Sequence, residues 1–191
     1  MTENNLFTPI TIGELSLSHR VVMAPLTRMR ATVPGNVPNE MMAQYYGQRA
    51  SAGGLIIAEA SQVSEDGRGA PCTPGSHSPE QIAGWKLITN AVHAKDGKIF
   101  LQLWHMGRLS HQSHQPDGKL PIAPSPIAAN TEVMTTEFER VPCPTPRALE
   151  TEEIPDLIER YVHAARSAME AGFCKTQSNN GPQKRLRIAV V

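Results

Sequence analysis

Phe100-Leu101-Gln102-Leu103-Trp104-His105-Met106-Gly107-Arg108 and, earlier in the chain, Val22-Met23-Ala24-Pro25-Leu26-Thr27-Arg28 are the stretches that decide the fold. Each is a short apolar run that stops abruptly at polar and aromatic groups, as a buried barrel strand does where its body ends at a ligand site. Arg20 to Ala24 is too short for a helix and entirely apolar from Val21, so it reads as a first buried strand. Leu55-Ile56-Ile57-Ala58 reads as a second, and Lys98 to Leu103 as a third.

Helical patterns lie between and after these strands. Glu40 to Tyr46 is helix-like and is broken by the later Gly53-Gly54. Ser78-Pro79-Glu80-Gln81 is the clearest helix start in the chain: a Ser N-cap, Pro at the first helical position, and Gln placed to complete a capping box. Its apolar face runs through Ile82, Trp85, Leu87, Ile88 and Val92, and it should run out near Asp96-Gly97. Another amphipathic pattern covers Thr151 to Ala171, with Ile154, Leu157, Ile158, Tyr161, Val162, Ala165, Ala168 and Met169 on one face and Gly172 at its C-cap. Strand and helix alternate as in parallel βαβ units.

Two segments stand apart from that alternation. Phe7 to Arg20 surrounds the turn-like pair Gly13-Glu14, which predicts a small hairpin. His105 to Leu149, rich in Pro, Ser and Thr, is longer than compact domains tolerate in a loop unless it is a lid or disordered.

Composition narrows the function classes. The 191 residues carry 18 basic and 18 acidic side chains, which argues against a general affinity for nucleic acid or anionic membrane. Lys184, Arg185 and Arg187 form a short basic cluster in the tail, read as solvated. Cys72, Cys143 and Cys174 are widely spaced with no Cys-x-x-Cys pair, so neither a disulfide framework nor a zinc site is suggested, and a reducing compartment fits. The start Met1-Thr2-Glu3-Asn4-Asn5 has no basic and apolar leader, and no run approaches a membrane span, so a soluble, cytoplasmic protein is expected. No GxGxxG or GxxxxGK loop occurs, which leaves a Rossmann or P-loop nucleotide site unsupported.

In wording and order the two opening motifs resemble the Old Yellow Enzyme family, FMN-dependent ene-reductases built on a (β/α)8 TIM barrel. The resemblance runs from about Leu6 to Phe173, after Glu170-Ala171-Gly172-Phe173. It implies a partial α/β barrel comprising about the first three βα units, with the hairpin plugging the barrel floor and the long connection after the third strand folded over the site as a lid. The domain is then residues 1–173, and residues 174–191, beginning Cys174-Lys175-Thr176-Gln177-Ser178-Asn179-Asn180, are expected to be an unrelated, disordered tail. A complete barrel takes about 250 residues, so this length supplies only part of one.

The same resemblance implies site residues. A flavin needs hydrogen-bond partners on its pyrimidine edge and near N5, because the protein tunes the ring while the cofactor carries the hydride. Thr27 matches the family Thr near the flavin C4 carbonyl, with Pro25 and Leu26 presenting backbone to the ring. Gln102 matches the amide that pairs with the pyrimidine edge, a task suited to a side chain offering both donor and acceptor. Ala60 corresponds to a small residue where backbone approaches the flavin. Trp104 matches an aromatic on the substrate side, a core Trp beneath the lid being the other reading. His105, His111 and His114 have spacings that suggest a metal, but they lie in a long loop without a Cys or Asp cluster and read as solvated or lid-packing imidazoles. His77 is assigned no catalytic role, and neither a catalytic residue nor a metal ligand is expected.

The fourth family strand supplies a His with Asn or His to hold the substrate carbonyl, a nearby Tyr often donates the proton, and later strands hold the FMN phosphate; none has a matching position here. A charge-assisted hydrogen bond contributes about 1.5 to 3 kcal/mol. Nanomolar binding totals only about 12 kcal/mol, so losing two or three such bonds predicts weak FMN binding. The expected parent activity is NAD(P)H-dependent reduction of an activated alkene such as an enone through FMN, with NADH or NADPH as reductant and the chain by itself inactive. The alternative is a non-catalytic, frameshifted or partial product that does not hold FMN and acts only by association. Either way, the open barrel edge is expected to favour self-association.

Overall fold

Gly13 takes φ 62°, the left-handed conformation that costs a glycine no Cβ clash, and lets the chain reverse between β1 (Ile10–Ile12) and β2 (Leu15–Leu17). The two pair antiparallel as the sequence predicts. The computed structural model describes residues 5–174. The Ser18 N–H donates to the Gly53 carbonyl at 3.0 Å, just ahead of the next long strand, so the hairpin closes the amino-terminal end of the sheet.

The central sheet has three strands in the order β3 (Val22–Met23), β4 (Leu55–Gln62) and β5 (Lys98–Trp104), all parallel. Each strand is followed by a helix: α1 (Glu40–Arg49), α2 (Pro79–His93) and α3 (Ile154–Glu170). Strand extents depart from the sequence reading. β3 pairs over only two residues rather than from Arg20 to Ala24. β4 runs on past Ala58 through Glu59, Ser61 and Gln62, all at most 2% exposed. Polarity suggests an end at Glu59, but each of these polar side chains finds a hydrogen-bond partner inside the fold, so burial is tolerated.

The β4–β5 register contains a bulge. Ala58 opposes Leu101 and Ser61 opposes Leu103, so Glu59 and Ala60 together face the single residue Gln102. An extra residue of this kind bends the strand and re-aims its side chains. On β5, Ile99, Leu101 and Leu103 are buried with the helices, while Phe100, Gln102 and Trp104 are half-buried on the opposite face. One core therefore lies between sheet and helices. It joins Met42, Ala43 and Tyr46 of α1, Ile82, Trp85, Ile88 and Val92 of α2, and Ala164, Ala165 and Ala168 of α3 to the strands.

α2 starts as the sequence predicts. Ser78 Oγ accepts from the Gln81 N–H, and Gln81 Oε1 accepts from the Ser78 N–H, a reciprocal capping box. The connection after β5 is not a structureless loop. β6 (Ile122–Ala123) pairs parallel with β9 (Arg147–Ala148), and β7 (Glu132–Met134) pairs antiparallel with β8 (Arg140–Pro142). These pieces are too short for periodicity to show in the sequence. α3 begins at Ile154, after a 3-10 turn over Thr151–Glu153, and Gly172 has φ 90° just past its end. Of the segment expected as a tail, only Cys174 is among the described residues; its N–H donates to Ile99 O at 3.0 Å, and Ile99 N–H donates to its Sγ at 3.2 Å. The reading of the rest of the tail, and of its basic cluster, lies outside the described residues.

Candidate functional site

Parallel pairing puts the carboxyl ends of β3, β4 and β5 on one rim, and Thr27 follows β3 on that side. Pro25 and Thr27 are half-buried and Leu26 is 55% exposed. Gln102 lies near the end of β5 opposite the bulge that carries Ala60, whose methyl is covered at 2% exposure. Neither the Thr27 hydroxyl nor the Gln102 amide bonds to another described residue. Trp104 Nε1 is buried without a partner among the described residues, and Gln62, opposite it across the pair, is turned to its own neighbours through a bond to Thr73 O. A buried orphan donor in a native fold calls for an explanation, and a bound group is one. An amide with both donor and acceptor and a hydroxyl, neither of them bonded within the described fold, are groups a flavin ring edge can pair with, so the residues present fit that group.

Glu59 is a buried carboxyl beside the rim that reading for motifs missed. It is wholly buried, its Oε1 accepts from Tyr46 Oη at 3.1 Å, and its Oε2 accepts from the Arg28 N–H at 3.0 Å. Its own N–H donates to the same Tyr46 oxygen at 2.8 Å. Burial pushes the Glu59 carboxyl above the usual carboxylate range, although both hydrogen bonds and the charges of Arg28 and Arg30 pull the other way. Burial and the nearby Glu59 also push the Tyr46 phenol up. The available signal was a lone acidic residue inside an apolar run, which needs a buried partner.

A second cluster joins the loops beyond β4 and β5 to α3. Asp66 accepts from Ser64 Oγ at 2.6 Å and from Arg160 Nη1 at 2.5 Å, with His105 Nε2 at 3.9 Å. His105 Nδ1 accepts from the Gly107 N–H, which leaves the neutral ring its proton on Nε2. That nitrogen is buried with no hydrogen-bond partner among the described residues, and burial holds the imidazole below its ordinary pKa. His114 is fully buried beneath the β7–β8 hairpin, its Nε2 donating to Met134 O at 2.6 Å, and His111 bonds to Ser113. Among the described residues no group of three or more His, Cys, Asp or Glu is placed to hold a metal ion. No helix among them is long and apolar enough to cross a membrane.

The sequence profile of the NADH:flavin oxidoreductase / NADH oxidase family matches residues 5–175, and the chain belongs to that family. It is similar to 12-oxophytodienoate reductase 7 of Oryza sativa subsp. japonica, at 46% identity over 170 residues, covering 88% of this chain and 43% of that protein. It is similar to the flavin oxidoreductase hxnT of Emericella nidulans, at 43% identity, covering 92% of this chain and 45% of the other. Among solved structures it is similar to morphinone reductase in complex with tetrahydroNAD, at 52% identity and a TM-score of 0.82, covering 88% of this chain and 47% of that one. The chain thus spans less than half the length of each of these relatives. The Old Yellow Enzyme resemblance is thereby established, and the sheet with its helices is a partial α/β barrel of that type.

Proposed function

We propose that this chain provides the ring-edge half of an FMN site in an NAD(P)H-dependent alkene reductase, its βα repeats being the first three units of a (β/α)8 barrel. The observation that carries this reading is Gln102: an unpaired amide on the half-open face of β5, opposite the Ala60 bulge and on the same rim as Thr27. When bound, FMN supplies hydride transfer between a nicotinamide and an activated alkene such as an enone. Gln102 pairs with the pyrimidine edge, Thr27 donates toward the C4 carbonyl, Pro25, Leu26 and Ala60 bring backbone close to the ring, and Trp104 walls the substrate side. The tetrahydroNAD complex of morphinone reductase supports a nicotinamide as reductant.

No residue of this chain matches the carbonyl-holding His pair or the phosphate anchors, so the 191-residue chain alone binds FMN weakly and is catalytically silent. Exposed Val21, Val22 and Leu26 beside the β3 edge favour self-association of the chain. The test is a titration of purified chain with FMN, followed by flavin fluorescence. Wild type should show saturable, weak binding that Gln102→Leu weakens by about ten-fold. The protein should be colourless after desalting and should not turn over 2-cyclohexenone with NADPH. FMN fluorescence untouched by the wild-type chain would refute the site, and a stoichiometric flavin spectrum with multiple turnovers would refute the claim of silence.

A further inference from the structure

β3 ends at Met23, so by Arg28 the backbone has left the sheet and its N–H has no ladder partner. Glu59 provides one, reaching across from the neighbouring strand. The peptide unit is planar, so the Arg28 N–H and the Thr27 C=O point in opposite directions within one rigid plane. Holding the Arg28 N–H on Glu59 Oε2 therefore fixes the orientation of the Thr27 carbonyl and anchors the Thr27 Cα at the edge of that plane. Glu59 is itself held from both ends: Tyr46 Oη donates to Oε1 and accepts the Glu59 N–H. The bulge then puts this braced residue and Ala60 against Gln102. One side chain thus ties the Pro25–Thr27 segment to the β4 bulge, which stands opposite Gln102 in the ladder.

We infer that Glu59 is a positioning residue for the flavin: its carboxylate sets the Pro25–Thr27 segment in register with Gln102 by accepting the Arg28 N–H. The inference rests on the flavin reading above. Both hydrogen bonds are donated to Glu59, a pattern that the carboxylate satisfies completely. A protonated carboxyl still has lone pairs on both oxygens but accepts more weakly than the carboxylate, so it holds the Arg28 N–H less firmly. The groups facing it are Tyr46 from α1 and Arg28 and Arg30 from the segment after β3. Burial places its titration above the ordinary carboxylate range. Ring affinity should therefore fall as pH is lowered through that raised pKa.

The test uses the full chain, isotopically labelled, with lumiflavin as probe because it has the ring without the phosphate. The Arg28 amide resonance should titrate with a midpoint above the ordinary carboxylate range, and lumiflavin affinity should fall on acidification with the same midpoint. Glu59→Gln keeps a carbonyl acceptor for Arg28 but no charge, so it should bind lumiflavin as wild type does in acid and lose both pH dependences. Glu59→Leu should bind about ten-fold more weakly, the loss of one hydrogen bond to a charged group. Should Glu59→Leu fail to fold, the contrast between wild type and Glu59→Gln decides the matter alone. A flat Arg28 amide in wild type, or a lumiflavin pH profile unchanged in Glu59→Gln, overturns the positioning role. An absence of lumiflavin-induced shifts at Thr27 and Gln102, with Arg28 still titrating, overturns instead the flavin reading on which it rests.

Discussion

Arg160 on α3 donates to Asp66 in the loop after β4, Nη1 to Oδ2 at 2.5 Å, and so fastens the last helix to the rim across 94 positions of sequence. Burial opposes the Asp66 charge, but the bonds from Ser64 and Arg160 outweigh it and hold the carboxyl below its ordinary value. A depressed carboxyl contributes stability that is present above the unfolded pKa and disappears as pH falls through the folded one. Asp66→Asn should therefore lower stability at neutral pH by about 1 kcal/mol. The gap from wild type should close in acid. Urea midpoints at neutral and acid pH check this, and a gap that widened on acidification would contradict it.

Glu59 carries the opposite sign. Its raised pKa means that the folded state favours the neutral carboxyl, a contribution complete below the unfolded pKa and lost as pH rises through the folded one. Relative to Glu59→Gln, wild type should thus lose stability on going from acid to neutral pH. Thermal melts of the two proteins across that range are the measurement, and parallel curves would show that Glu59 does not titrate in this window.

Two glycines on facing helices make a paired prediction. A Cβ on Gly84 of α2 would meet Pro38 O at 2.2 Å, a backbone atom that cannot step aside, so Gly84→Ala should destabilise by about 1 to 3 kcal/mol. On Gly47 of α1 the nearest atom is Ala91 Cβ at 3.5 Å, ordinary contact. There Gly47→Ala should be neutral or stabilising by up to about 1 kcal/mol, from helix propensity. Denaturation of both variants side by side tests the interhelical fit.

The legible parts of this chain were those written in local chemistry. The Ser78 and Gln81 capping box and the Gly13 turn follow from residues within a few positions of one another, and the parallel strand order follows from the alternation of strand and helix. Gln102 and Thr27 were legible as a pair of motifs, and the rim they share follows from that strand order. What the sequence concealed depends on pairing between distant segments. The bulge at Glu59 and Ala60 exists only relative to β5, and the Asp66–Arg160 pair only once α3 is docked. The β6–β9 and β7–β8 pairs are two or three residues long, too short to show a period.

The two tryptophans of the chain occupy contrasting environments, which makes each a reporter for the other's variant. Trp85 is 1% exposed, its Nε1 donates to Gly75 O at 2.9 Å, and its ring meets Phe173 edge-on at 5.3 Å between centroids. Trp104 is half-buried on the proposed cofactor face and its Nε1 has no partner among the described residues. Replacing Trp85 by Phe removes a satisfied hydrogen bond and core volume, and should cost about 1 to 3 kcal/mol. Replacing Trp104 by Phe removes an orphan donor, so the desolvation penalty of that N–H disappears with it and the net cost should be smaller. In Trp85→Phe the remaining emission comes from Trp104, and added lumiflavin should quench it along the same saturation curve that perturbs the Gln102 amide. In Trp104→Phe the emission of Trp85, on the helix side of the sheet, should be quenched less at equal lumiflavin. Equal quenching of both would place the flavin elsewhere, and so would a Trp104 signal that lumiflavin leaves unchanged.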